Sequence, residues 1–296
     1  VGSEMCIRDS SYCQAFFIYA LSSYYRASGD KNALKLAYEI MDLVEKYATD
    51  DVAYLETMAR DWKSELQNDE LSENGLMADK TMNTTLHLME AYTELYLADH
   101  SPKVLDRLKF QLDLTYDKIY DKEGHKLLVF FDRNMDVIGD IHSYGHDIEA
   151  TWLIDRACEV IGDPAITAKF AEMNKAIVKN IADIAYDKAS GSLLNERDKD
   201  KINTWRIWWV QAETVIGFMN AYQKHYGGKE YFEISSSVWK FIQEHIIDKR
   251  PGGEWHSQID DNWKPADFKP MVDPWKCPYH NGRMCMEMMR RLAENA

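Results

Sequence analysis

Four stretches of the sequence carry side chains suited to moving protons. In residues 81–92 (TMNTTLHLMEAY), Asn83 and His87 stand four apart; in 143–149 (SYGHDIE), His146 and Glu149 stand three apart. In 205–213 (WRIWWVQAE), Trp209 and Glu213 repeat the four-residue spacing, and 273–281 (DPWKCPYHN) brings Trp275 and His280. On a helix, such spacings place both members of a pair on one face. Histidine, with an unperturbed pKa of about 6.5, gives and takes protons near neutrality. A neighbouring carboxylate orients the ring and favours its charged form. Tryptophan adds a flat apolar face that grips a neutral ring without asking for charge. Each residue alone has a plainer explanation. Asp147 and Glu149 in a first turn suit the helix dipole, His87 on a Leu/Met-rich helix suits a hydrogen-bonded core histidine, and Trp208 and Trp209 suit a core. What is harder to explain plainly is that all of these groups recur at one place in a repeat.

The repeat is read from apolar residues spaced three and four apart. They mark helices near 12–28, 31–48, 80–98, 102–120, 146–161, 164–185, 207–225, 229–247 and 278–293. Gly29-Asp30, Ser101-Pro102 and Gly162-Asp163-Pro164 supply stop and start signals between the members of a pair. Short β-like pieces at 53–57, 127–131, 192–194 and 253–256 separate the pairs. First helices therefore begin at intervals of roughly 60–70 residues. Such hairpins stack into an open solenoid or close into a ring. A ring of six pairs needs twelve helices, so nine make an incomplete all-α toroid with short β-hairpins in its loops. The polar groups sit at or near the start of the first helices, which form the inner wall of such a ring.

The 296 residues are 46% hydrophobic and 28% charged, which is globular rather than disordered. No apolar run approaches the roughly 20 residues that span a bilayer, so no membrane partner is expected. A net charge of −14 repels phosphate backbones and disfavours nucleic acid. Five widely spaced cysteines in so large a chain suggest reduced thiols and a cytoplasmic location. No cysteine or histidine spacing suggests a metal. Nine Trp, 17 Tyr and 10 Phe fit a sugar-binding cleft as well as a core. The first ten residues, VGSEMCIRDS, have no helical pattern and look like a non-native sequence scar. Residues 11–296 are then expected to form one catalytic domain lacking its N-terminal helices.

The motifs TMNTxLHxxEAY, SYGHDIEA, WWxQAE and GEW…PWKCPYHN resemble the N-acylglucosamine 2-epimerase superfamily, and within it the cellobiose 2-epimerase group, in order and separation. The resemblance runs from about Tyr12 to the C-terminus. It implies an (α/α)6 barrel and reversible epimerisation at C2 of the reducing-end sugar of a β-1,4-linked disaccharide such as cellobiose or lactose. It implies no metal, no nucleotide and no other cofactor. Position by position, it makes His146 and His280 the acid/base pair, with His87 a third catalytic histidine. Tyr12, Asn83, Glu149, Trp209, Glu213 and Trp275 become sugar-binding residues. Cys13 stands where the family's YGQAF motif has Gly, Thr85 where another His is common, and an active-site arginine of the family's N-terminal quarter has no counterpart.

The chemistry fits these residue types. A C2 proton becomes acidic only after ring opening exposes a C1 aldehyde that delocalises charge into an enediolate. Two imidazoles across a cavity provide a base on one face and an acid on the other. Glu149 and Glu213 would orient them, Asn83 and His87 would stabilise the enediolate oxygen, and Trp209 and Trp275 would hold the sugar. Two other readings compete. One is an (α/α)6 glycoside hydrolase working through Glu149 and Glu213; the other is an inactive fragment or an open sugar-binding solenoid.

Overall fold

The computed structural model describes residues 10–59, 61–62, 76–273 and 275–293. Positions 1–9 of the expected scar, with Cys6, lie outside the described residues. The chain divides into two units, Val1–Asp140 with Leu153–Phe170, and Ile141–Trp152 with Ala171–Ala296.

In the first unit, helices α1 (Ser11–Ser28) and α2 (Lys31–Tyr47) form one hairpin, α3 (Met82–Asp99) and α4 (Pro102–Leu114) the next. The turns are the ones the residues dictate. Gly29 takes a left-handed conformation (φ 73°) that costs a residue without a Cβ nothing, and Asp30 then caps α2 by accepting the Asn32 N–H at 2.9 Å. His100 plays the left-handed part before Pro102, the first residue of α4. The second unit takes the first part of α5 (Tyr144–Ile161) and most of α6 (Pro164–Ile184), then α7 (Trp208–Gln223), α8 (Lys229–Phe241) and α9 (Tyr279–Ala293). These nine α-helices among the described residues match the nine expected segments. Two ran long because the last turns, Thr115–Ile119 after α4 and Ile242–Ile246 after α8, widen to π geometry.

Members of a hairpin differ in burial. Helix α3 is buried from Thr84 to Tyr96 and α7 from Val210 to Ala221. Helices α2, α4 and α8 bury only a stripe: Ala33, Ala37, Met41 and Val44 on α2, for example. Burial on every side marks an interior helix, a stripe an outer one. Interior helices approach closely; a Cβ added at Gly217 of α7 would stand 2.8 Å from the Ile148 carbonyl oxygen of α5.

The strands are shorter and more numerous than expected, and they serve the helices. Lys80–Thr81 runs straight into α3, Ile141–Ser143 into α5 and Arg206–Ile207 into α7. Each is held antiparallel by a partner from a later loop: Phe130–Phe131, Glu196–Asp198 and Gln258–Ile259 respectively. The expected piece at 127–131 is divided between two such pairings, and those at 53–57 and 253–256 make only isolated bridges. Main-chain hydrogen bonds thus fix the first turn of each interior helix, where the chemistry-bearing residues lie.

Candidate active site

In the second unit, α5, α7 and α9 converge their first turns. The pairing of Ser143 with Glu196 sets the start of α5, and there the Ser143 hydroxyl lies 2.7 Å from Nδ1 of His146. On α7, the Trp209 ring packs against two imidazoles at once, with centroids 4.7 Å from His146 and 5.5 Å from His280. Gly145 allows this, since a Cβ there would fall 2.7 Å from the Trp209 ring. His146, Trp209 and His280 are each half-buried.

Behind them lies a charge cluster removed from solvent. Glu213 Oε1 accepts from His280 Nδ1 at 2.7 Å and from Arg283 Nη2 at 2.8 Å, while Oε2 accepts from Trp152 Nε1 at 3.0 Å. Arg283 Nη2 also donates to Glu149 Oε1 at 2.6 Å, and its guanidinium stacks over the rings of Tyr279 and Trp152. Burial pushes the Glu213 carboxyl up, but the Arg283 charge and the His280 hydrogen bond outweigh it and hold the group below the usual carboxylate range. Glu149 lies 3.9 Å from His280 Nδ1, so its carboxylate serves Arg283 and His280, whereas His146 is anchored by Ser143. Asp147 has a partner of its own in buried His142, 2.6 Å away.

The oxygens of Glu149 and Glu213 and the Nδ1 of His280 lie within 4.8 Å of one another, a spacing that metal ligands share. Arg283 Nη2 already sits against both carboxylates, so a fixed cation of the protein occupies the electrostatic position a metal would take. Trp275 stands apart in character: it is 56% exposed, on a turn built by Asp273 and by the buried Lys276, whose Nζ donates to the Met271 carbonyl at 2.7 Å.

The first unit holds the remaining candidates. His87 is buried on α3 with Nδ1 3.0 Å from Glu90 Oε2, and its ring meets Tyr12 edge-on and Phe16 at a tilt, both at 5.1 Å. Asn83 is half-buried; its Oδ1 is buried and makes no hydrogen bond among the described residues, an acceptor available to a ligand. Thr85 is buried and returns its hydroxyl to the Thr81 carbonyl at 3.3 Å.

Sequence reasoning missed Ser143, Glu90, Trp152 and Arg283. Three of them were within reach of the rule that found the others, because Ser143/His146, His87/Glu90 and His280/Arg283 are each three apart.

The comparisons with known proteins fit this arrangement. The family described as N-acylglucosamine 2-epimerase (GlcNAc 2-epimerase) matches residues 3–280. A cellobiose 2-epimerase of Ruminococcus albus is 57% identical over 95% of this chain and 71% of its own length. One from Dictyoglomus turgidum is 43% identical over 98% and 74%. A solved sugar epimerase from a ruminal bacterium superposes with a TM-score of 0.92 at 56% identity, covering 95% of this chain and 72% of that one. The cellobiose 2-epimerase of Bacillus thermoamylovorans gives 0.89 at 40%, with 95% and 72% covered. Fold and site together thus define a sugar-epimerase-like (α/α)6 barrel protein. The chain belongs to the N-acylglucosamine 2-epimerase family, and it is an epimerase.

Proposed function

We propose that this epimerase inverts C2 of the reducing-end sugar of a β-1,4-linked disaccharide, cellobiose or lactose, by ring opening and proton transfer through an enediolate between His146 and His280. The observation that carries the reading is the pair of imidazoles packed on one indole, each held at Nδ1 by a different anchor. A ring held at Nδ1 works through Nε2, and two such nitrogens serve the two faces of one carbon. One removes the C2 proton from the open-chain aldehyde, and the other returns a proton to the opposite face. Trp209 supplies the apolar wall against the sugar's C–H groups. The Glu149–Arg283–Glu213 cluster locks the His280 ring and places a counter-charge behind it, without touching the substrate. His87, Asn83, Tyr12 and Trp275 are assigned to the sugar on the strength of the family motifs.

The disaccharide comes from the relatives, of which this chain spans about seven tenths. The hydrolase reading is disfavoured by Glu213 itself. It is fully buried with both oxygens taken by His280, Arg283 and Trp152, which keeps it from a glycosidic bond. Incubation with cellobiose in D2O separates the two. The reading expects glucosyl-mannose carrying deuterium at C2; release of free glucose without C2 exchange overturns it.

A further inference from the structure

Three histidines named above are each anchored through Nδ1, but by different chemistry. His87 faces the Glu90 carboxylate at 3.0 Å and His280 the Glu213 carboxylate at 2.7 Å. An ionised carboxylate only accepts, so Glu213, held below the usual carboxylate range, dictates a proton on Nδ1 of His280. His146 alone faces a hydroxyl, Ser143 Oγ at 2.7 Å, which accepts or donates with equal ease. Ser143 is buried and ends a strand pinned along its length, Ile141 opposite Asp198, His142 opposite Arg197 and Ser143 opposite Glu196, directly before α5 begins at Tyr144. The pairing therefore fixes the Ser143 Cα–Cβ bond at the mouth of α5, within reach of the His146 ring.

The geometry points to Ser143 as the positioning residue of His146. It takes the Nδ1–H, so that Nε2 presents a lone pair, and it holds the ring in its tilted packing against Trp209, 50° between planes, through the proton-transfer cycle. This inference rests on the epimerase mechanism proposed above. Because Oγ is neutral, it fixes the tautomer without stabilising the imidazolium as a carboxylate does. Around His146, Trp209 contributes its ring from α7, His280 lies beyond that ring on α9, and Asp147 on α5 is engaged by His142.

The test compares the parent with Ser143→Ala and Ser143→Thr, using kinetics and the ring-nitrogen NMR spectrum of 15N-histidine-labelled protein. One hydrogen bond of this kind is worth about tenfold, or about 1.4 kcal/mol. Ser143→Ala is expected to lower kcat about tenfold with KM within twofold. Ser143→Thr, which keeps the hydroxyl, restores kcat to within about threefold. In the spectra, His146 carries its proton on Nδ1 in the parent and in Ser143→Thr, and reverts toward the Nε2–H form of a free side chain in Ser143→Ala. A parent spectrum with the proton on Nε2, or a spectrum unchanged by Ser143→Ala, overturns the assignment whatever the activity. So does a Ser143→Ala variant with kcat within twofold of the parent. Should the parent show the expected spectra yet no epimerisation, the mechanism above fails while the anchoring by Ser143 stands.

Discussion

Replacing Glu213 by Gln removes one charge and one acceptor from a cluster that has no spare of either. Three donors aim at this carboxylate: Trp152 Nε1–H on Oε2, and His280 Nδ1–H and Arg283 Nη2–H on Oε1. An amide offers one oxygen and one NH2, so some donor must face another donor whichever way the group turns. A buried donor left unsatisfied costs about 1–3 kcal/mol, and neutralising one member of a buried ion cluster about 3–5 kcal/mol. Arg283 keeps Glu149 at 2.6 Å, so the lower end applies and about 3 kcal/mol is expected. For a chain of this size each kcal/mol moves Tm by roughly 2–4 °C, giving a fall of roughly 6–12 °C in a circular-dichroism melt. The sign of the pH dependence follows from the lowered carboxyl of Glu213. Its contribution is fully present above the unfolded-state value of about 4.3 and is lost as pH falls through the lower folded-state value. The gap in Tm between parent and variant is therefore constant from pH 6 to 8 and closes below about pH 4. Loss of a ring anchor should also reduce kcat about 10- to 100-fold. A Glu213→Gln protein melting within 2 °C of the parent at pH 7 would refute the reasoning about the cluster.

Two further perturbations probe the packing and the buried charges. Gly145→Ala drives a methyl to 2.7 Å from the Trp209 ring; overpacking of this kind costs about 1–3 kcal/mol, and the displaced indole should lower kcat/KM more than it lowers Tm, which steady-state kinetics beside a melt will show. Glu56 is buried against the Thr81 hydroxyl at 2.5 Å, and burial raises its carboxyl pKa. A raised folded-state value means stability that is full below the unfolded-state pKa and declines as pH rises through the folded one. Glu56→Gln should therefore lose less Tm than the parent between pH 5 and pH 8; parallel curves would contradict this.

Much of the architecture is written in residue spacing, because an amphipathic hairpin declares both its period and its punctuation. Gly29-Asp30 and Gly162-Asp163-Pro164 mark turns by conformational necessity, and the helices on either side begin and end where those residues require. The short strands are legible only in part. Ile141–Ser143 and Glu196–Asp198 are three residues each, too short to show alternation, and they pair with each other, as His142 does with Arg197, across a long stretch of sequence. The pairing of His280 with Glu213 was open to view only as two motifs in one repeat position, since 67 residues separate them. Arg283 was hidden for another reason. At a charged position of a Met-rich helix it reads as surface, and only the fold shows it buried between Glu149 and Glu213. Trp275 shows the converse: an aromatic in a family motif reads as enclosed, yet its turn leaves it 56% exposed.

Proton transfer between His146 and His280 requires both imidazoles for the inversion of one carbon. Cellobiose carrying deuterium at C2 of its reducing-end sugar, incubated in H2O with the parent, with His146→Ala and with His280→Ala, tests this by NMR. The parent should give an epimer with the label washed out, and neither variant should invert C2, although one variant alone still exchanges the label without inversion. An epimer formed at the parental rate by either variant, or one that retains its label, would contradict this requirement.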